Sequence, residues 1–175
     1  MSNNLQSRIK SQDAKIGVVG LGYVGLPLAV EFAKAGFSVT GIDIAQERVD
    51  QLNRGDNYIS DVDDSELASL VESKVLVAMN DYAVVADLDA VSICVPTPLS
   101  KLKDPDVSFI QSALDELVKY IHPGLLIILE STTYPGTTRE LILPALTAEG
   151  FAVGKDFFLC FSPERIDPGN KEYKI

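Results

Sequence analysis

This chain of 175 residues is poor in several things, and each scarcity excludes a class of answer. Cysteine occurs only as Cys94 and Cys160. Two cysteines in a chain of this length do not make a disulfide framework. Both lie in apolar, strand-like runs, so they are expected as buried, reduced thiols of a cytoplasmic protein. Histidine occurs only as His122, against Pro123-Gly124, and reads as a helix-end residue rather than a base. Basic residues are outnumbered, with 15 Lys and Arg against 25 Asp and Glu and a net charge of −10. That balance repels phosphate backbones and anionic bilayers, so neither nucleic acid nor a membrane is expected as a partner. The longest purely apolar run near the middle, residues 125–129, is far short of the ~20 residues that cross a bilayer. Residues 1–13 are polar and carry no signal-peptide core; they are expected as an irregular N-terminal arm. No solenoid repeat or low-complexity tract is present.

Against this background one stretch stands out, Val18-Val19-Gly20-Leu21-Gly22-Tyr23-Val24-Gly25-Leu26-Pro27. Residues 14–19 are short, apolar and partly β-branched, as in a buried parallel strand. Gly20, Gly22 and Gly25 then give G-x-G-x-x-G. The first glycine permits the tight turn, the second lets a pyrophosphate approach the backbone, and the third lets the helix pack on the strand. The amides of Gly22, Tyr23 and Val24 fall at the start of that helix, where its dipole and free N–H groups favour phosphate. Pro27 sits in the first turn, where its missing N–H costs nothing.

The flanks add weight to a motif that is weak alone. A helix over 24–35 ends at Gly36, and a second strand over 37–42 ends at Asp43, 23 residues after Gly20 against the ~20 expected for a ribose-binding acid. An acid there holds the ribose hydroxyls of NAD and repels the 2′-phosphate of NADP. Ile44 follows in place of an arginine, which again favours NAD. The alternative is that Asp43 only caps the next helix, near Ala45.

Strand and helix patterns then alternate: helices over 45–54 and 65–72, a strand over 75–79, a helical turn over 81–86, a strand over 90–95, a helix over 107–121, a strand over 125–129, a helix over 138–149 strained by Pro144, and a strand over 156–161. This predicts an α/β, doubly wound, mostly parallel sheet of six or more strands with helices on both faces. Pro96-Thr97, Ser131 to Thr133 and Ser162 to Glu164 each follow a strand. They therefore share the sheet edge where such folds bind ligands.

Four segments in order, Gly20-Leu-Gly-Tyr-Val-Gly-Leu-Pro-Leu, Val95-Pro-Thr-Pro-Leu, Glu130-Ser-Thr-Thr-Tyr-Pro-Gly-Thr-Thr and Phe161-Ser-Pro-Glu-Arg-Ile-Asp-Pro-Gly-Asn, resemble the UDP-glucose/GDP-mannose dehydrogenase family. The last two look most like its UDP-N-acetylglucosamine and UDP-N-acetylmannosamine branch. The resemblance implies a Rossmann NAD-binding domain over 14–175. It also implies oxidation of a sugar C6 alcohol to a carboxylate by two NAD molecules in turn, through a cysteine thiohemiacetal and thioester, in synthesis of polysaccharide precursors. By the same resemblance Thr132 and Glu164 are catalytic, and Glu164 and Arg165 meet the sugar nucleotide. Thr97 and Thr132 lie by the nicotinamide, and Arg48 joins Asp43 at the adenosine ribose. The alternative for Thr132 is a helix N-cap, and for Glu164 a solvated strand-end carboxylate.

Family chains are longer, with a central helix and a UDP-binding second domain that supplies the cysteine. The chain is thus expected as a fragment that binds NAD without turnover, from an enzyme that is a homodimer or higher oligomer, with no metal. UDP-glucose as substrate, a β-hydroxyacid dehydrogenase and a stand-alone NAD sensor are the competing readings.

Overall fold

The computed structural model describes residues 2–99, 105–148 and 150–163. Six strands, β1 (Lys15–Val19), β2 (Ser38–Ile42), β3 (Leu76–Met79), β4 (Ala90–Ile93), β5 (Leu126–Leu129) and β6 (Phe158–Phe161), form one sheet in the order β3-β2-β1-β4-β5-β6. Every neighbouring pair is parallel. This is the doubly wound order, with its reversal of direction between β1 and β4. Parallel pairing puts the carboxyl ends of all six strands on one edge, so the loops after β1, β2, β4, β5 and β6 converge there.

The helices are α1 (Ser2–Lys10), α2 (Gly25–Lys34), α3 (Gln46–Asn53), α4 (Asp64–Glu72), α5 (Ser108–Leu117) and α6 (Leu143–Ala148). The alternation of strand side chains sorts the core into two halves. Ile16, Val18, Val39 and Leu76 face one side with Leu26 and Val30 of α2 and Leu67 of α4. Val91, Ile93, Ile127 and Leu129 face the other with Ile110 and Leu114 of α5 and Leu146 of α6. Most of these side chains are wholly removed from water, a hydrophobic gain of ~1.5–3 kcal/mol for each large one.

Local signals set the boundaries. Asp63 caps α4, its Oδ1 accepting from the amides of Ser65 (2.9 Å) and Glu66 (3.0 Å). Asp81 caps the short 3₁₀ turn Tyr82–Asp87 in the same way. The expected helix over 107–121 tightens after Leu117 into a 3₁₀ turn, Val118–Tyr120. Pro144 acts upstream of itself. It has no N–H to give to the preceding turn, and residues Thr138–Ile142 wind as a π-turn in which the Leu143 amide donates to the Thr138 carbonyl. His122 ends its segment as expected, with Nε2 3.0 Å from the Leu88 carbonyl oxygen.

Two expectations are corrected. The N-terminal arm is not irregular: residues 2–10 are α1. The reason is tertiary. Arg8 pairs with Asp89 at 2.5 Å, and the other Asp89 oxygen accepts from the Lys15 amide at 2.8 Å. Gln12 also donates to the Ala35 carbonyl at 2.7 Å. Of the two cysteines, Cys94 is buried but Cys160 is exposed, because β6 is an edge strand and no helix covers its outer residues among those described.

Asp89 is therefore the anchor that joins α1 to the start of β4. Asp89→Ala should cost about 1–2 kcal/mol, because it removes the backbone bond to Lys15 as well as the pair with Arg8. Arg8→Ala, which removes a pair more than a third exposed on the arginine side, should cost less than about 1 kcal/mol. Urea melts of the two variants check the order, and equal losses would contradict it.

Candidate functional site: a dinucleotide cleft at the carboxyl edge

The glycine turn is built by close contacts. Gly20 has φ +89°, and a Cβ there would lie 2.9 Å from the Cys94 carbonyl oxygen, so β1 and β4 approach each other at the switch point. A Cβ on Gly25 would lie 1.7 Å from the Gly20 carbonyl oxygen; α2 is seated directly on the turn. Gly22 is different. A Cβ there would meet nothing within 4 Å, so packing within the protein gives no reason for a glycine at that position. The second glycine of such a turn serves to let a pyrophosphate approach the backbone, and an open position at Gly22 fits that use.

The start of α2 is equally telling. Its N-cap, Val24, has no side-chain hydrogen bond to the first turn, and the first turn contains no acid. The first amides of a helix have no intrahelical acceptor. In α4 an aspartate supplies one; in α2 the protein supplies none from a capping side chain. An anion placed there meets both the free donors and the positive end of the dipole.

Asp43 lies at the tip of β2, buried to 6% exposure. Its Oδ2 accepts from the Leu21 amide (2.8 Å) and from Arg48 Nη1 (2.8 Å), and its Oδ1 accepts from the Ala45 amide (2.9 Å). Asp43 thus holds the amide of Ala45, the N-cap residue of α3, which itself receives no side-chain cap, and it faces the glycine turn through the Leu21 amide. Arg48 is half-exposed and lies over the Tyr58 ring, 6.0 Å from its centroid. The Tyr58 hydroxyl donates to the Leu21 carbonyl at 3.0 Å. Buried in part, that phenol is held well above its ordinary pKa and keeps its proton. Burial likewise pushes the Tyr82 phenol up to about 12, with Asp43 adding to the shift. Beside Asp43, Ile44 is 81% exposed, an apolar face with nothing covering it.

The loops after β4 and β5 are tied to each other. Ser131 donates through Oγ to the Val95 carbonyl at 2.7 Å, and Thr97 donates through Oγ1 to the Thr132 carbonyl at 2.5 Å. The structure therefore brings Thr97 and Thr132 together at the edge. The N-cap alternative for Thr132 does not hold, since the helical turn after it begins only at Thr138. Tyr23 is exposed beside the glycine turn. Glu164 and Arg165 lie outside the described residues. The chain reaches them from Ser162, whose amide donates to the Leu129 carbonyl at 3.0 Å at the same edge.

Gly20, Gly22, Tyr23, Val24, Gly25, Asp43, Arg48, Thr97 and Thr132 thus line one rim. Ser131, in a segment expected at this edge, joins the rim through its bond to Val95, whereas no spacing in the sequence points to Tyr58. Tyr58 stands alone in a polar, turn-rich segment, and an aromatic in such a place was the one available signal. No helix among the described residues is long and apolar enough to cross a membrane, and no cluster of potential metal ligands is present among them.

Comparison with known proteins decides the class. Residues 14–175 match the NAD binding domain of the UDP-glucose/GDP-mannose dehydrogenase family. The chain belongs to this family. It is 40% identical over 165 residues to the UDP-N-acetyl-D-glucosamine 6-dehydrogenase of Pseudomonas aeruginosa, covering 94% of this chain and 38% of that protein. The solved UDP-N-acetyl-mannosamine dehydrogenase of Staphylococcus aureus superposes with a TM-score of 0.81 at 34% identity, covering 89% of this chain and 38% of the other. The NDP-N-acetyl-D-galactosaminuronic acid dehydrogenase of Methanosarcina mazei superposes with a TM-score of 0.84, also at 34% identity, over 97% and 38%. The chain therefore spans well under half the length of these relatives. It is an NAD-binding domain, and the open Gly22, the uncapped α2 and the acid at the tip of β2 fit that cofactor.

Gly25 carries the tightest of these contacts. Gly25→Ala should abolish detectable NAD binding and destabilise the chain by at least about 3 kcal/mol, because the clash is with backbone that has no rotamer to yield. Gly22→Ala, facing open space, should melt within ~1 kcal/mol of the parent while losing NAD. Thermal melts with and without NAD separate the two; similar melting losses in both would contradict the assignment.

Proposed function

We propose that this chain is the cofactor-binding part of a nucleotide-sugar 6-dehydrogenase that oxidises the C6 alcohol of a UDP-N-acetylhexosamine to the acid, in the making of polysaccharide or surface-glycan precursors. The observation that carries the reading is the pairing at the switch point of an uncapped helix start over Gly22 with the buried Asp43 on the next strand. The names of the relatives supply the sugar class. Bound NAD would supply the hydride acceptor.

In this reading the amides of Gly22, Tyr23 and Val24, with Gly20 and Gly25 shaping their turn, hold the diphosphate. Asp43 and Arg48 hold the adenosine ribose. Thr97 and Thr132 stand by the nicotinamide, where Thr132 also orders water at the reacting carbon. Glu164 serves as acid–base group, and Arg165 assists it in binding the sugar nucleotide. The cysteine nucleophile and most of the UDP site then belong to sequence outside this chain, which spans 38% of its Pseudomonas relative. Assembly as a homodimer or larger belongs to the same reading, as does action in the cytoplasm. UDP-glucose in place of an acetamido sugar is the second substrate to test.

Calorimetry on the 175-residue chain should show one NAD site and markedly weaker NADP binding. NADH formation, followed at 340 nm with UDP-N-acetylglucosamine, UDP-N-acetylmannosamine and UDP-glucose, should be absent for this chain. A protein of the relatives' length carrying it should form two NADH per sugar with one of the acetamido sugars. Release of NADH with none of the three sugars from that longer protein would overturn the proposal. Asp43→Asn should weaken NAD binding by about 1–3 kcal/mol, the range for a buried polar group left mismatched; an unchanged Kd would remove Asp43 from the ribose site.

A further inference from the structure

We infer that Tyr58 is a positioning residue for the dinucleotide's diphosphate: its hydroxyl, donating to the Leu21 carbonyl, sets the direction of the Gly22 amide at the other end of the same peptide. The inference deepens the NAD-binding reading and rests on it.

The geometry follows from the planarity of the peptide unit. The Leu21 carbonyl and the Gly22 N–H belong to one trans peptide, so they point in opposite directions and cannot turn separately. Fixing the carbonyl fixes the amide. The Tyr58 hydroxyl donates to that oxygen at 3.0 Å. The preceding peptide is fixed from its other end, since the Leu21 N–H donates to Asp43 at 2.8 Å. Two successive peptides of the turn are thus pinned by side chains from outside it. Gly22, which has no Cβ of its own and nothing within 4 Å of where one would be, could otherwise swing freely, because glycine is the residue least restrained in φ and ψ.

Tyr58 is itself held on two sides. Its ring packs against the core face under α2, and the guanidinium of Arg48 lies 6.0 Å from the ring centroid. Arg48 in turn donates to Asp43. The ring is therefore anchored independently of its hydroxyl, and removal of the hydroxyl alone leaves those contacts in place. A donor bond to the carbonyl also polarises the peptide it belongs to and strengthens its N–H as a donor. The contacts of Tyr58 are with Leu21, Arg48 and the core. Its effect passes through one peptide bond and ends at the phosphate.

The test is Tyr58→Phe in the 175-residue chain, titrated calorimetrically with NAD, ADP and adenosine at a temperature where circular dichroism shows both proteins folded. NAD and ADP should weaken about five- to tenfold, the loss expected of one neutral hydrogen bond, and adenosine less than twofold. A tyrosine that only stabilised the fold would lower the melting temperature and leave all three dissociation constants unchanged; that result overturns the inference. So does an equal loss for adenosine, which would put the effect at the ribose. If Tyr58→Phe does not fold, replacing Tyr58 by p-aminophenylalanine keeps the ring and a para N–H donor, and NAD binding within threefold of the parent is expected; a tenfold loss there overturns the inference. A parent chain that binds neither NAD nor ADP defeats the NAD-binding reading itself, an outcome distinct from parent binding that Tyr58→Phe leaves untouched.

Discussion

The contact on which the site depends is the seating of α2 on the carbonyl of Gly20. Only hydrogen at Gly25 allows it, because a Cβ would come within 1.7 Å of that oxygen. The approach places the unpaired amides of the helix start over the carboxyl edge of β1, at the one position in the sheet where neighbouring crossovers diverge and leave a crevice. The parallel order of the strands does the rest. It brings the tips of β2, β4 and β5 to the same edge, and side-chain to backbone bonds then join those tips: Asp43 to Leu21, Ser131 to Val95, and Thr97 to Thr132. The rim is therefore a hydrogen-bonded frame held by the protein's own groups, and a Cβ at Gly22 within it would meet nothing within 4 Å.

The fold was largely legible because each layer of evidence in the sequence agreed with the next. Buried parallel strands read as short apolar runs, their crossover helices carry apolar stripes, and glycine and proline mark the joints. Strand boundaries moved by one or two residues, as at β4, whose start held at Ala90 while its end, expected at 95, falls at Ile93. What could not be read depended on partners distant in sequence. The helix α1 has few apolar residues, and it is secured by Arg8 reaching Asp89 and by Gln12 reaching Ala35. Cys160 lies in an apolar run like any central strand, yet exposure depends on whether the sheet continues beyond β6, and no local pattern carries that information. The site followed the same division. Glycines and Asp43 announce themselves by spacing, whereas Tyr58 comes to Leu21 across 37 positions through an irregular segment.

Tyr58, Arg48 and Asp43 also show why the edge is more than a set of independent contacts. The carboxylate proposed to hold the ribose is the group that fixes the first peptide of the glycine turn, and the guanidinium that satisfies the carboxylate lies over the ring that fixes the second. A change at Asp43 or at the Arg48 guanidinium reaches both peptides, so effects of those two on the ribose and diphosphate ends of the cofactor should not add as independent terms, whereas the Tyr58 hydroxyl acts on the second peptide alone.

The same network bears on how NAD is preferred to NADP. Repulsion between an aspartate and a 2′-phosphate is the usual account, but here Arg48 lies 2.8 Å from Asp43 and offsets much of its charge. Discrimination then has to come from acceptors and space. A carboxylate offers about four lone-pair sites, and the Leu21 amide, Arg48 and the Ala45 amide take three of them. The remaining site is on Oδ1, which can accept one ribose hydroxyl without disturbing the protein. A phosphate monoester brings acceptors to an acceptor. To bind, it would have to draw Arg48 away from Asp43, leaving a nearly buried carboxylate short of a donor and loosening the hold on Leu21. In the proposed site the penalty against NADP would then fall on the glycine turn itself, and selectivity would rest on the hydrogen bonds of Asp43 more than on its net charge.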